Sequence, residues 1–394
     1  MVSGSQAPRF LVVSDLSLRG GPRFVTPQMS AAVLHVLRQR SFRAGRYPVA
    51  YQSCDDSTAR TGLFDERKCA ANAKAYADAP DVIGVVGPYN SGCAYAEIPI
   101  AGRAGLAIVS PTNSDVGVTR PAFGAPRGAL RALYPTERRT YARLMSPDDA
   151  QAAADAQLAM RLGARRIFVL DDGGYGAGIA AYFKRAASRL GARIVGAARW
   201  DPRAPRARRL AARIRRSGAQ AVFLCGLIDT SAGEVLAAVK RALPAPVIGC
   251  DGLLPAGLLF EHAGADARGT YVSIEGLVNE RLPARGKAFL RDFGATQPGA
   301  RVDVAAVYAA QAADLLMDAI ARSDGTRASV STQLLRSRLR DGLVGGLRID
   351  ANGDPASAPI TIVRLEHAGG ADAILSYEGA RVDRVITPPR RLRG

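Results

Sequence analysis

The feature that most constrains this chain is an alternation, carried through twice, of short β-branched runs with stretches whose apolar residues recur every three or four positions. In the first round the runs Phe10 to Ser14, Val49 to Gln52, Val82 to Val86 and Leu106 to Val109 read as strands. Between them, Met29 to Arg40 and Asp65 to Ala77 have the spacing of amphipathic crossover helices. That order is βαβ, and it predicts a parallel sheet with helices on both faces. The rhythm restarts with Arg166 to Leu170, Arg193 to Ala197, Ala221 to Leu224 and Val247 to Ile248, separated by helices ending near Leu190, Arg216 and Leu243. Between the two rounds lies the turn-rich stretch Pro121 to Pro135, which reads as a linker and as the place of the first crossing. After Cys250 come a strand at Thr270 to Ile274, helices at Asp303 to Ala321 and Ser331 to Arg340, and strands near Leu347 to Ile349 and Ile360 to Leu365.

Two α/β units agree with the length, since 394 residues at roughly 150 per domain make two or three domains. A hydrophobic share of 48% is ample for their cores. The net charge of +18 invites a nucleic-acid or anionic-surface reading. Only five of the 53 basic residues are lysines, however, so the excess is arginine spread through an alanine-rich chain and reads as background composition. The densest basic segment, Asp201 to Arg216, holds seven arginines, but Ala207, Leu210, Ala211 and Ile214 share one helical face. The arginines are then the solvated side of a crossover helix.

No run reaches the 18 consecutive apolar residues of a membrane span. The start, Met1 to Pro8, reads as a linker scar or trimmed terminus, and no signal sequence is read within this chain. The five cysteines show no CxxC spacing and the three histidines stand far apart, so no metal site is expected. Two of Cys54, Cys69 and Cys93 are placed to pair, and Cys225 and Cys250 end successive strands; free buried thiols are the alternative. Bridges would favour an exported protein.

Ligands of open parallel sheets sit beyond the carboxyl ends of the strands. Five loops occupy such places: Asp15 to Gly21, Gly87 to Cys93, Ser110 to Ser114, Asp171 to Gly176 and Gly249 to Gly252. Hydroxyls and amides dominate the first set, an aromatic and carboxylates the second. That division suits a small zwitterion, its carboxylate on neutral donors and its ammonium on an acidic or carbonyl acceptor. A dinucleotide reading of Asp171 to Gly178 fails, because Ile179 stands where a third glycine is required. Ser91 has no nucleophile elbow and no histidine partner, and Cys93 alone reads as structural.

The runs Val82-Ile-Gly-Val-Val-Gly-Pro-Tyr-Asn-Ser-Gly-Cys93, Glu97-Ile-Pro-Ile100 and Ala107-Ile-Val-Ser-Pro-Thr-Asn-Ser114 resemble the type I periplasmic binding protein family, in its branched-chain amino acid (Leu/Ile/Val) branch. The resemblance continues through Tyr51 to Ser57, Ile167 to Gly176, the helix around Tyr308 to Ile320 and Leu347 to Asp354, and so covers almost the whole chain. It implies an α/β fold of two lobes, each a mostly parallel sheet flanked by helices, joined by a three-strand hinge. The expected lobes are 8–133 with 254–340, and 134–253 with 341–390, with the ligand cleft between them.

Carried over residue by residue, the resemblance places Ser91 and Ser114 on the ligand carboxylate, with Ser114 where a threonine is usual. Thr112 offers its carbonyl to the ligand ammonium, Asp251 stands in the place of an acidic partner that is usually glutamate, and Tyr175 covers the ligand. Ser17, Leu18, Leu227 and Ile228 line the side-chain pocket. The bland alternative for Ser91, Ser114 and Asp251 is helix capping. The implied function is a non-enzymatic solute-binding protein, without cofactor, that delivers a small amino acid or related polar metabolite to the permease of an ABC importer. It would be extracytoplasmic, a monomer or weak dimer, with no specific nucleic acid as partner. The runner-up is a ligand-sensing module of a larger regulatory or receptor chain, inside the cell or out. Salt-sensitive DNA binding through the arginine surface comes third.

Overall fold

The computed structural model describes residues 1–20, 25–59, 63–369 and 377–393. The chain divides into two compact units, one of Met1–Met145 with Arg281–Ser357 and one of Ser146–Glu280 with Ala358–Gly394, so it passes between them three times.

The first unit holds strands β1 (Val2–Ser3), β2 (Phe10–Leu16), β3 (Arg43–Ala44), β4 (Tyr47–Asp55), β5 (Val82–Val86), β6 (Ala107–Ser110) and β7 (Tyr141–Arg143). In the second are β8 (Arg166–Asp171), β9 (Arg193–Arg199), β10 (Ala221–Cys225), β11 (Val247–Gly249) and β12 (Tyr271–Glu275). The chain then adds the small ladder β13 (Arg338–Leu339) with β14 (Leu347–Arg348) to the first unit, and β15 (Ile360–Leu365) and β16 (Ala380–Ile386) to the second.

The parallel part of the first sheet runs β4-β2-β5-β6-β7, with β1 antiparallel on β4. The second runs β9-β8-β10-β11-β12, followed by antiparallel β15 and β16. In both, the strand that comes first in sequence lies between the second and the third. The connections therefore leave that strand in opposite directions, which opens a crevice at its carboxyl end.

Strands β2, β5, β6 and β10 are buried along their whole length, as expected for apolar runs covered by helices on both faces. Leu11, Val13, Val85, Ile98 and Ile108 share the core of the first unit; Phe168, Leu170, Val222, Leu224 and Val272 share that of the second. Helix Val304–Arg322 is long and apolar enough to span a membrane, yet it is almost entirely buried and serves as a core helix.

The expected strand cores all appear, extended by one to three residues at Leu16, Asp55 and Asp171. The unit boundaries fall later than the expected ones after residues 133, 253 and 340. Tyr141–Arg143 is still a strand of the first sheet, paired with β6, and β12 is still a strand of the second, paired with β11. The stretch Pro121 to Pro135 is not the crossing; it contains helix Ala129–Leu133, whose Leu133 packs with Tyr134 into the first core. The helix placed at Ser331 to Arg340 runs instead from Arg327 to Leu335, capped by the Thr326 side chain on the Ser329 amide.

Candidate functional site

In the first unit the crevice lies at the carboxyl ends of β2 and β5. Ser17, fully buried, donates its hydroxyl to Asp56 Oδ1 at 2.5 Å and faces Asn90 Oδ1 at 3.1 Å, which ties the loops after β2, β4 and β5 together. The loop after β5 approaches the end of β2 so closely that a Cβ on Gly87, at φ +142°, would lie 2.2 Å from the Asp15 carbonyl oxygen. Only glycine fits there. Leu18 is half-buried, its amide on Asp55 Oδ1 at 3.0 Å.

Ser91 opens helix Ser91–Arg103, but the N-cap is Asn90 and no side chain caps it, so the capping reading of Ser91 does not hold. Its hydroxyl oxygen accepts the Asp115 amide at 3.3 Å. The neighbouring loop is shaped by Ser110 Oγ, which accepts the amides of Thr112 and Asn113 at 3.3 and 3.0 Å. Asn113 then donates to the Pro88 and Tyr89 carbonyls and accepts from Tyr141 at 2.8 Å. The Thr112 hydroxyl is spent on the Tyr89 carbonyl at 2.8 Å. Half-buried Ser114, by contrast, makes no side-chain hydrogen bond among the described residues. This unit thus presents hydroxyls, amides and the free amino end of a helix dipole, the donor set that a carboxylate requires.

The second unit repeats the device at β8 and β10 with Asp172. Its carboxylate accepts the amides of Gly174, Gly176 and Leu227 at 3.0, 2.9 and 3.0 Å and the Thr230 hydroxyl at 3.3 Å. A Cβ on Gly176 would sit 1.9 Å from the Cys225 carbonyl oxygen, so the helix starting at Tyr175 abuts the end of β10 only because that residue is glycine. Tyr175 donates its hydroxyl to both oxygens of Asp251, at 2.8 and 3.0 Å. Gln151 Nε2 donates to Asp251 Oδ1 at 2.8 Å and to the Ser273 carbonyl at 3.3 Å.

Around Asp251 the second unit is acidic. Asp155 is buried and takes the Ser273 hydroxyl at 3.0 Å, and Glu275 is buried at the end of β12. Burial pushes the carboxyls of Asp155, Asp251 and Glu275 upward; the charge of Asp251 adds to the shift of both its neighbours. A buried set of acceptors of this kind is relieved by a proton or by a cationic group. Leu227 is 41% exposed and free to line a pocket, whereas Ile228 packs into the core of the unit.

Sequence reasoning passed over Asn90, Asn113, Asp172, Gln151, Asp155 and Glu275. Asp172 lay in a loop already singled out and was given no role. Gln151 and Asp155 belong to helix Asp148–Arg161, an alanine-rich segment not recognised as an element; two polar residues four apart on it were the available signal.

Cys69 pairs with Cys93 and Cys225 with Cys250, at Cα separations of 5.5 and 5.3 Å, while Cys54 is free. Asp56, Cys69 and Cys93 lie within 4.8 Å of one another, but both sulfurs are joined in the bridge and offer no thiolate to a metal. On helix Ala207–Arg216, Ala207, Ala211 and Ile214 are buried and all seven arginines of the 201–216 segment are exposed.

Two open sheets of this strand order, each with polar loops gathered at its switch point, define a two-unit solute-binding architecture. The chain belongs to the periplasmic binding protein family, whose model matches residues 41–371, and it is a solute-binding protein rather than a member of an enzyme family. No curated protein matches it. Among solved structures it is similar to the leucine-binding protein LivK of Thermotoga maritima, at 19% identity, covering 96% of this chain and 99% of that one with a TM-score of 0.72. It is similar as well to the branched-chain amino acid transporter substrate-binding protein LivJ of Streptococcus pneumoniae, in complex with isoleucine, at 15% identity, 96% and 99% coverage and a TM-score of 0.70. A third is an ABC transporter solute-binding protein of R. palustris in complex with 4-hydroxybenzoate, at 15% identity, 96% and 98% coverage and a TM-score of 0.74.

Proposed function

We propose that this chain captures a small amino acid or related polar metabolite and delivers it, outside the cytoplasm, to the permease of an ABC importer. The carrying observation is the Asp251 carboxylate at the end of β11, held by Tyr175 and Gln151 with no cationic side chain bonded to it among the described residues. An anionic acceptor held in place by neutral donors is a seat for an ammonium group. In the first unit the hydroxyls of Ser91 and Ser114 suit a ligand carboxylate and the Thr112 carbonyl an ammonium; Ser17, Leu18 and Leu227 are assigned to the ligand side chain. Of the similar structures, one is named a leucine-binding protein, one is in complex with isoleucine and one with 4-hydroxybenzoate. For this chain an amino group on the ligand accounts for Asp251, which a benzoate would leave without a cationic partner.

The two disulfides agree with an extracytoplasmic location. The test is a thermal-shift screen against amino acids, short amides and aromatic acids, repeated on Asp251→Ala and Ser91→Ala. A ligand present at a hundred times its Kd stabilises the protein by about 2.7 kcal/mol. A shift seen with an amino acid and lost in both variants supports the reading. A shift produced by aromatic acids alone, unaffected by Asp251→Ala, overturns it.

A further inference from the structure

Strands β11 and β12 run parallel, with Gly249 in register with Val272. Each carries a carboxylate at its carboxyl end, Asp251 just after β11 and Glu275 as the last residue of β12. Helix Asp148–Arg161 packs beneath them and is fastened there by Gln151 on the Ser273 carbonyl and by Asp155 on the Ser273 hydroxyl. Glu275 is 5% exposed, and Gln151 and Asp155 are wholly buried.

Three polar atoms of this group are buried without a partner among the described residues: Gln151 Oε1, Asp155 Oδ1 and Glu275 Oε1. All three are acceptors. The orientation of the Gln151 amide follows from its surroundings, because the end that faces Asp251 Oδ1 and the Ser273 carbonyl must be the donor end. Among the described residues no lysine, arginine or histidine is paired with Asp155, Asp251 or Glu275, although 53 of the chain's residues are basic. A buried polar group without a partner is costly and calls for an explanation. A proton meets the need of a buried carboxyl such as Asp155, whereas for Glu275 Oε1 and Gln151 Oε1 a cationic nitrogen supplies donors and positive charge and brings no acceptor of its own.

A single α-ammonium has three N–H groups, and Asp251 on the neighbouring strand already claims that group in the function proposed above. A ligand with one cationic group must share it between the two carboxylates, whereas a ligand with two gives each its own. We infer that the ligand is an amino acid with a cationic side chain, its α-ammonium on Asp251 and its second ammonium or guanidinium on Glu275, with Gln151 Oε1 as a further acceptor. This inference rests on the proposed function and deepens it by naming the ligand class. It sets the chain apart from the similar proteins named for leucine, isoleucine and 4-hydroxybenzoate.

The experiment is calorimetric titration of the whole chain with L-arginine, L-lysine, L-leucine, 1,4-diaminobutane and 4-hydroxybenzoate, on the wild type, Glu275→Gln and Asp251→Ala. L-Arginine or L-lysine is expected to bind at least about tenfold more tightly than L-leucine, from one additional charged hydrogen bond. 1,4-Diaminobutane, lacking the carboxylate, is expected to bind less well than either. Glu275→Gln should erase the preference for the basic amino acid and leave L-leucine within about twofold, while Asp251→Ala weakens every amine. If L-leucine binds more tightly than both basic amino acids and depends on Asp251, the inference falls and the proposed function stands. Binding of 4-hydroxybenzoate alone overturns both. Because the wild-type ranking decides by itself, a Glu275→Gln chain that fails to fold does not shield the inference. A folded variant, melting as the wild type does, that keeps the full preference overturns it as well.

Discussion

Arg143 and Asp354, 211 positions apart in the sequence, form a buried ion pair, with Nε donating to Oδ1 at 2.8 Å. Arg143 ends β7 just before the chain leaves the first unit, and Asp354 follows the turn just before it leaves again, so one pair fastens two of the three crossing segments within that unit. Thr119 and Arg120 complete the carboxylate's shell at 2.8 and 2.7 Å. Asp354→Ala takes the carboxylate away from the buried Arg143 guanidinium. That should cost about 3–5 kcal/mol, on the order of 10 °C in Tm for a unit of this size. Burial pushes the Asp354 carboxyl up, but the charges of Arg143 and Arg120 outweigh it and hold it below its ordinary value. The stability that this pair contributes is thus present at neutral pH and is lost as the pH falls through the lowered value. A urea titration repeated down the acid range checks both statements, and an Asp354→Ala chain as acid-sensitive as the wild type contradicts the second.

The acids under β2 act in the opposite sense. Burial pushes Asp56 up to about 7 and Asp15 up to about 6, and it pushes Glu97 upward as well. In the unfolded chain such carboxyls titrate near 4, so between about 4 and 7 the folded state binds more protons than the unfolded one. Their contribution is full at the acid end of that window and declines as the pH rises through the folded values. Melting temperature followed from pH 4 to 8 should fall for this reason, and Asp56→Asn, which keeps a polar group beside Ser17, should flatten the slope. A variant with the wild-type slope would remove Asp56 from the account.

Thiol counting tests the bridges. The unfolded, unreduced chain should give one thiol, Cys54, and the reduced chain five. Breaking Cys69–Cys93, which closes a loop across 24 positions, should cost about 3 kcal/mol through the entropy returned to the unfolded chain. Three or more thiols in the unreduced, freshly purified protein would contradict at least one of the pairings.

Trp200 is the only tryptophan and is buried, its indole Nε1 donating to the Thr230 carbonyl at 2.6 Å. Thr230 in turn donates to Asp172, which also holds the amides at the start of the Tyr175 helix. Any ligand that moves the loop after β10 should therefore change tryptophan fluorescence. Asp172→Ala removes several hydrogen bonds to a charged acceptor and should lower stability by roughly 3 kcal/mol. It should also weaken ligand binding more than tenfold by releasing Tyr175 and Leu227 together, which a fluorescence titration reads directly.

The elements of this fold are legible in the chain where a local pattern dictates them. Val82–Val86 and Ile360–Leu365 appear as expected because an unbroken apolar run between turn signals has few other ways to bury itself. Helix Asp148–Arg161 was not recognised because its alanines are buried almost all round, leaving no polar face to set the period. Strand Tyr141–Arg143 is three residues long and contains an arginine, whose burial depends on the opposite charge of the distant Asp354 and so on no local pattern. In the site, the roles given to Tyr175 and Asp251 come from the family resemblance, and the hydrogen bond between the two is what the structure adds.

The sequence by itself determined that there are two α/β rounds, which runs are strands, and which loops follow their carboxyl ends, because each of these depends on periodicity and turn chemistry within a few residues. Only the tertiary structure decided where the chain changes unit, that Cys69 and not Cys54 meets Cys93, and that Gln151, Asp155 and Glu275 gather around Asp251. Those outcomes rest on partners such as Gln151 and Asp251, 100 positions apart. Such partners are brought together by the order and register of strands, and no local pattern encodes the electrostatic environment that results.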